Sequence, residues 1–320
     1  MRLSQNTITG GNDVIDLLSY NFTIKKAGKK LTIKKYDKLN TYNFTIKSIR
    51  PVTKGKSDKM KENFLKSLAR ARQNVFDIIS CNVNNIPDYF GNKQMPKFIT
   101  LTFKDNVTDS KFANLEFTNF NKRLSYYLYG EKKNVLKYIC IPEFQKRGAI
   151  HYHVLYFNLP YIEFENLGHV WGNGFVFVES VKDNIEDYAK YVAKYMNKEN
   201  SKGEENFDIY LSKGMLNQKR YFTSRGLKRP IVYKLLVEHE TYEMIVAYLK
   251  DFNIDNYTYE NEFIGKVEQL DYEIIDRDVL KTLFETIKEL VKDLLKTYNR
   301  PIKLKRSDFY PTNEVSPWQI

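Results

Sequence analysis

The chain has 320 residues, 42% hydrophobic and 15% aromatic; it is long enough for a sizeable core and too apolar to stay disordered. Lys and Arg number 51 against 39 Asp and Glu, a formal net charge of +12, which favours an anionic partner, DNA or RNA first, over a basic surface with no use. Two isolated cysteines, Cys81 and Cys140, exclude a disulfide framework and a cysteine zinc site. No apolar run is long enough to span a bilayer, and Met1 to Asn12 lacks the apolar core of a signal peptide, so a cytoplasmic protein without membrane association is expected.

Residues 1–50 alternate polar and apolar. Tyr20-Asn21-Phe22-Thr23-Ile24 is echoed by Tyr42-Asn43-Phe44-Thr45-Ile46, and both read as strands of a hairpin-like pair. Lys54 to Lys59 reads as a basic loop. Phe64, Leu68, Val75 and Ile79 fall near helical spacing and predict a helix over about 58–81. Residues 82–94, polar and holding Pro87 and Gly91, form a connector. A strand follows over 97–103, then a helix over 110–128. Residues 134–143 and 149–158 read as two strands joined by a turn at Lys146-Arg147-Gly148. Phe175-Val176-Phe177-Val178 gives another strand, and a helix over about 184–197 closes the unit.

The order of strand, helix, hairpin, strand and helix is met by a central antiparallel sheet with helices packed on it, an α+β fold. Beyond it come a strand at Ile231-Val232-Tyr233, a helix over 240–250 and a β-rich stretch over 257–275. An amphipathic helix over about 278–298 follows, with Leu280, Leu283, Ile287, Leu290 and Leu294 on one stripe, as core or as the seat of a partner helix. Three regions result: an N-terminal hairpin and helix extension (1–94), a central domain (95–230) and a C-terminal α+β extension (231–320).

His151-Tyr152-His153 is the sharpest local feature. On a strand, residues i and i+2 share a face, so the two imidazoles stand side by side while Tyr152 faces the other way. Glu143 lies on the preceding strand, and hairpin pairing can bring its carboxylate beside them. Two histidines and a carboxylate suit a divalent ion such as Mn²⁺ or Mg²⁺, able to polarise a phosphoryl oxygen. The plainer alternative is a pair of half-exposed histidines on a strand. His169 and His239 lack such company and read as ordinary surface or satisfied histidines.

The helix over 184–197 carries Ile185, Ala189, Val192 and Met196 on one stripe, with Tyr191 and Tyr195 one turn apart at its flank and Lys194 and Lys198 beyond them. It can bury one face and still offer two phenols and two ammonium groups. A phenol is a poor nucleophile alone, and a nearby cation would help it by neutralising phosphate charge. Equally, the tyrosines could simply cap the hydrophobic face.

Taken together, these residues resemble the HUH endonuclease superfamily, specifically the rolling-circle replication initiators of plasmids and single-stranded DNA phages. Phe98-Ile99-Thr100-Leu101-Thr102-Phe103 looks like the first motif, His151-Tyr152-His153 like the metal-binding second, and Tyr191-Val192-Ala193-Lys194-Tyr195 like the third, in its two-tyrosine form. The resemblance covers about 95–230, including Arg220 to Pro230. It implies an RRM-like or ferredoxin-like fold and a divalent metal held by His151, His153 and Glu143. It further implies attack by Tyr191 on origin single-stranded DNA, leaving a 5′-phosphotyrosine and a 3′-OH, with Tyr195 or the new 3′-OH resolving the link and Lys194 in support. A helicase domain is not implied: Gly55-Lys56-Ser57 has Arg50 where a phosphate loop needs glycine. Unwinding and synthesis would then fall to a host helicase and polymerase. The competing readings are a relaxase or transposase of the same chemistry and, in a different class, a non-catalytic RRM-like nucleic-acid-binding protein whose aromatic strand 98–103 stacks bases.

Overall fold

The computed structural model describes residues 7–9, 14–16, 19–41, 57–83, 86–145, 148–180, 211, 219–261, 264–274, 278, 281–282, 285–286 and 289. Down the chain, the short strands β1 (Thr7–Thr9) and β2 (Val14–Asp16) pair antiparallel and are followed by β3 (Ser19–Ala27) and β4 (Lys30–Thr41). Next come α1 (Ser57–Asn82), β5 (Lys97–Phe103), α2 (Ser110–Tyr129), β6 (Tyr138–Phe144) and β7 (Ile150–Tyr156). They lead to α3 (Phe164–Trp171), β8 (Gly174–Ser180), β9 (Phe222–Thr223) and β10 (Ile231–Leu235). Helix α4 (His239–Leu249), a 3₁₀ turn (Lys250–Phe252), β11 (Asn253–Asn261) and β12 (Gly265–Glu273) complete the described elements.

The chain divides into two compact units. One comprises residues 26–30 and 47–231, the other residues 1–25, 31–46 and 232–320. In the first, the strand order is β8-β5-β7-β6-β9, and β5–β7, β5–β8, β6–β7 and β6–β9 are all antiparallel. With α2 after β5 and α3 after β7, this is the β-α-β-β-α-β pattern of ferredoxin-like folds. The α+β class and the central antiparallel sheet are as the sequence predicts. Helix α3 is an addition to that prediction: eight residues, FENLGHVW, with Gly168 in the middle and no side-chain cap at Glu163, give too weak a local signal.

Alternation along the strands puts a core on each face of this sheet. Ile99, Leu101 and Phe103 of β5 and Tyr152, Val154 and Tyr156 of β7 are buried with Ala113, Phe117, Phe120 and Leu124 of α2 and with Leu167 and Trp171 of α3. Asp109 caps α2 by accepting from the Lys111 N–H at 2.8 Å, and Gly130 ends it in the left-handed region at φ 68°. Two of the buried phenols are satisfied: Tyr152 donates to Asn114 Oδ1 at 2.7 Å and Tyr156 to Asn121 Oδ1 at 2.9 Å. On the opposite face, the stripe Phe64, Leu68, Ala71, Val75 and Ile78 of α1 is buried with Phe98, Ile139, Ile141 and Leu155. The polar residues Thr100, Thr102, Glu143, His151 and His153 also lie on that face.

Two local ties finish this unit. Asn82, fully buried at the end of α1, donates to Ile78 O at 2.7 Å and Lys228 O at 2.9 Å and accepts from the Lys228 N–H at 2.9 Å. Ser224 accepts from the Tyr138 N–H through Oγ at 2.9 Å, which helps seat β9 against β6. Cys81 and Cys140 are both buried thiols.

In the second unit, β10-β3-β4-β12-β11 form a sheet, so residues from the expected N-terminal and C-terminal extensions share it. Phe22, Ile24, Leu31 and Ile33 are buried with Tyr242, Ile245 and Leu249 of α4 and with Tyr272 and Ile274. The hairpin differs from the expected one. Strand β3 pairs with β4, the very next segment, through a turn at Gly28-Lys29 with Gly28 at φ 63°; Tyr42–Ile46, the expected partner, lies outside the described residues. A two-residue turn closes the pair over the shortest loop, and a glycine supplies its positive φ. The expected helix over 184–197, and most of that over 278–298, also lie outside the described residues. No helix among the described residues is long and apolar enough to cross a membrane.

Gly174 opens β8 at φ 151°, and a Cβ there would lie 2.4 Å from both Lys104 N and Thr102 O, which are backbone atoms that cannot swing aside. Gly174→Ala should therefore push β8 off β5, at a cost of about 1–3 kcal/mol. The expected result is a lower melting temperature together with faster hydrogen exchange at the amides of Val176 and Val178; a variant that melts with the wild type would show that the strand junction tolerates a side chain.

Candidate active site

Strand register builds the site. In β6–β7, Glu143 stands opposite His151 and Ile141 opposite His153. In β5–β7, Thr102 stands opposite His151 and Thr100 opposite His153. In β5–β8, Phe175 faces Thr102 and Phe177 faces Thr100. Two adjacent rows therefore cross one face of the sheet: Phe175, Thr102, His151, Glu143, and Phe177, Thr100, His153, Ile141. This is the face opposite α2 and α3.

His153 is buried and held on three sides. Its Nε2 lies 2.5 Å from Glu143 Oε2 and its Nδ1 3.0 Å from Thr100 Oγ1. The Phe98 ring lies parallel to it, 7° between planes and 5.9 Å between centroids. In the neutral tautomer that donates from Nε2 to Glu143, Nδ1 accepts from the Thr100 hydroxyl, so both ring nitrogens are satisfied. His151 is half-buried on the same face, with Nδ1 3.5 Å from Gln145 Nε2. Among the described residues no three His, Cys, Asp or Glu side chains are gathered as a metal-holding group.

The structure thus brings His153 into contact with Glu143 and sets His151 beside them by register. Tyr191, Lys194 and Tyr195 lie outside the described residues. His169 and His239 are exposed, His239 with Nδ1 3.7 Å from Glu243 Oε1. Sequence reasoning missed Thr100 and Phe98 as partners of the His153 ring. The signal was present in β5, where Thr100 and Thr102 break an otherwise apolar strand at alternate positions, on the face that the histidines share.

The phenols of the opposite face are unsuited to nucleophilic work. Burial pushes Tyr152 and Tyr156 far up, and burial, with the Cys140 thiol as a lesser cause, pushes Tyr138 up to about 12. Each is a packed neutral group.

Residues 96–200 match the sequence model of a family described as "Replication-associated protein". The chain is also similar to the "Phasyl DNA replicon protein arp" of Escherichia coli, 27% identical over 146 residues, which cover 38% of this chain and 49% of that protein. The chain spans about half the length of the curated relative it matches. No solved structure matches it. These likenesses support a replication initiator. The matched stretch begins at β5, contains Glu143, His151 and His153, and extends over Tyr191, Lys194 and Tyr195.

The raised Tyr138 phenol has a consequence for stability. Its folded value, about 12, lies above the ordinary 10.0, so the folded state holds a proton that the unfolded chain has already lost. The stabilisation is fully present below pH 10 and is lost as pH rises towards 12. Thermal melting followed between pH 9 and 12 should show falling stability, and Tyr138→Phe should flatten part of that slope. Equal slopes for the two proteins would mean that the phenol ionises without cost.

Proposed function

We propose that this protein is a rolling-circle replication initiator that nicks single-stranded origin DNA through a tyrosine, by the chemistry of the HUH endonucleases its motifs resemble. The observation that carries the reading is the convergence of His153 Nε2 and Glu143 Oε2, with His151 opposite Glu143 in register, inside a stretch similar to replication-associated proteins.

The donor types suit a divalent ion of the Mn²⁺ or Mg²⁺ kind: one carboxylate and two imidazoles on one sheet face. When bound, the ion supplies Lewis-acid polarisation of a phosphoryl oxygen. His153, Glu143 and His151 would hold it, which requires the direct His153–Glu143 hydrogen bond to open. Thr100 and Phe98 keep the His153 ring oriented, so that its Nε2 stays aimed at the donor cluster.

Tyr191 is the nucleophile in this reading. Its phenol oxygen bonds to phosphorus in line as the bond to the 3′ oxygen breaks. The phenol proton passes to solvent and the leaving 3′ oxygen takes one up from solvent to end as a 3′-OH, while the 5′ phosphate stays on the protein as a tyrosine ester. Lys194 stands between Tyr191 and Tyr195 in the sequence, and its ammonium would neutralise phosphate charge. Tyr195, or the new 3′-OH, reverses the link to rejoin strands. Each ester exchange conserves bond energy, so nicking and joining need no nucleotide cofactor. A host helicase and polymerase would supply unwinding and synthesis.

His151→Ala and His153→Ala should each abolish cleavage of a labelled single-stranded origin oligonucleotide across a Mn²⁺ titration, and Glu143→Gln should shift that titration to higher metal. Thr100→Val, which keeps the shape and removes the hydroxyl, should weaken metal binding by roughly 10–100-fold. Cleavage by both histidine variants in chelator-treated buffer would end the metal assignment.

Tyr191→Phe should eliminate the protein–DNA adduct detected by mass spectrometry, whereas Tyr195→Phe should still form it in the first nick. An adduct that survives Tyr191→Phe but not Tyr195→Phe reverses the two roles, and loss in neither variant removes both.

A further inference from the structure

The two rows that carry His151 and His153 end, on the edge strand β8, in a pair of exposed rings. Phe175 is 69% exposed and Phe177 62%, although Val176 between them is buried in the core against α2 and α3. They are two residues apart, so they share a face and stand about 7 Å from one another along the strand. That face is also the one bearing Thr100, Thr102, His151, His153 and Glu143.

A single exposed apolar side chain needs no explanation. Two neighbouring phenylalanines on a strand that is an edge among the described residues do, because such an edge invites unwanted strand pairing and natural edges are usually polar or charged. Their neighbours inward are threonines and histidines, not the aliphatic residues that would line a protein-binding groove. β8 and β7 flank β5, so the rings lie about 10 Å from the histidine pair by strand spacing. An occupant of the rings would thus lie within one or two nucleotide lengths of the His153–Glu143 contact. It must offer flat apolar faces to the rings and tolerate a strongly basic chain, of net charge +12. Lys104, exposed just past the end of β5, contributes to that charge beside the rings.

We propose that Phe175 and Phe177 form a base-stacking platform that seats the nucleotides flanking the scissile phosphate of single-stranded DNA, a proposal that rests on the nicking function given above. Stacking on a phenylalanine accepts any base, so the platform holds and orients the strand without reading its sequence. From the platform the backbone runs inward across Thr100 and Thr102 towards His153 and Glu143, which share that face. The rings position substrate and take no part in bond making.

The test is fluorescence anisotropy of the full chain with a labelled oligothymidylate and with an abasic strand of equal length, in chelator so that no cleavage occurs. The wild type should prefer the base-bearing strand. Phe175→Ala with Phe177→Ala should weaken that binding by about ten-fold or more and leave the abasic strand unaffected, which separates loss of stacking from loss of charge or of fold. In otherwise wild-type protein, Phe177→Trp should retain binding, with its fluorescence quenched by the oligothymidylate. Unchanged preference in the double variant, equal losses on both strands, or a tryptophan that DNA does not quench would each overturn the platform. Nicking of origin DNA by the wild type, assayed separately with Mn²⁺, reports on the function itself. Base preference without nicking would leave the platform standing and remove the nuclease, and nicking without base preference would do the reverse.

Discussion

Strand β7 is hydrogen-bonded on both sides, in register with β5 from His151 to Tyr156 and with β6 from Ile150 to Tyr156. Side chains alternate with a period of two, so Tyr152, Val154 and Tyr156 go to one core while His151, His153 and Leu155 go to the other face. A slip of one residue would drive both imidazoles into the aromatic packing around Phe117 and Trp171 and expose the tyrosines. The core therefore enforces the site. Burial of Tyr152 against Phe117, with ring centroids 5.0 Å apart, is the same structural fact as the projection of His151 and His153 from the opposite face. Glu143 depends on it too, since its place opposite His151 is a property of the β6–β7 register and not of any local preference of the carboxylate.

The division of labour between the two faces follows from this. On the side of α2 and α3, polar atoms are few, the Tyr152 and Tyr156 hydroxyls are hydrogen-bonded to Asn114 and Asn121, and these phenols are kept neutral by burial. On the other side, α1 takes Phe98, Leu155, Ile139 and Ile141 into an apolar cluster, and the next two rows carry the polar side chains of Thr100, Thr102, His151, His153 and Glu143. The boundary runs through His153, which is stacked on Phe98 and bonded to Glu143 and Thr100. An imidazole so placed has its ring held by apolar packing and its nitrogens held by hydrogen bonds, which is the arrangement a rigid ligand needs.

Much of this was legible in the sequence because it rests on short periodicities. The His-x-His pair, the apolar strand at 97–103, the turn before Ala149 and the stripe of α1 each declare themselves within a few residues. The hairpin register of Glu143 could be inferred as possible from two strands and a turn, though not its contact with His153, which depends on rotamers. Helix α3 was not legible, being short and interrupted by Gly168, and neither was the pairing of β3 with β4 in place of the echoed Tyr-Asn-Phe-Thr-Ile segments. Long-range sheet assembly was also hidden, since nothing local ties β3 and β4 to β12 more than two hundred residues away. Thr100 and Phe98 were visible as strand residues, but their contact with His153 exists only through the β5–β7 pairing.

The two cysteines have a practical bearing. The thiolate, not the thiol, reacts with alkylating reagents and oxidants. Cys140 is fully buried with its thiol pushed up by that burial, and Cys81 is buried at the end of α1. The natural thiols are thus shielded in the folded chain, and a cysteine introduced on an exposed surface would stand out against a silent background. Dyes or spin labels could then be placed at chosen sites without first removing the native residues. Conversely, the appearance of reactive thiols in untouched protein would serve as a sensitive report that the interior has opened.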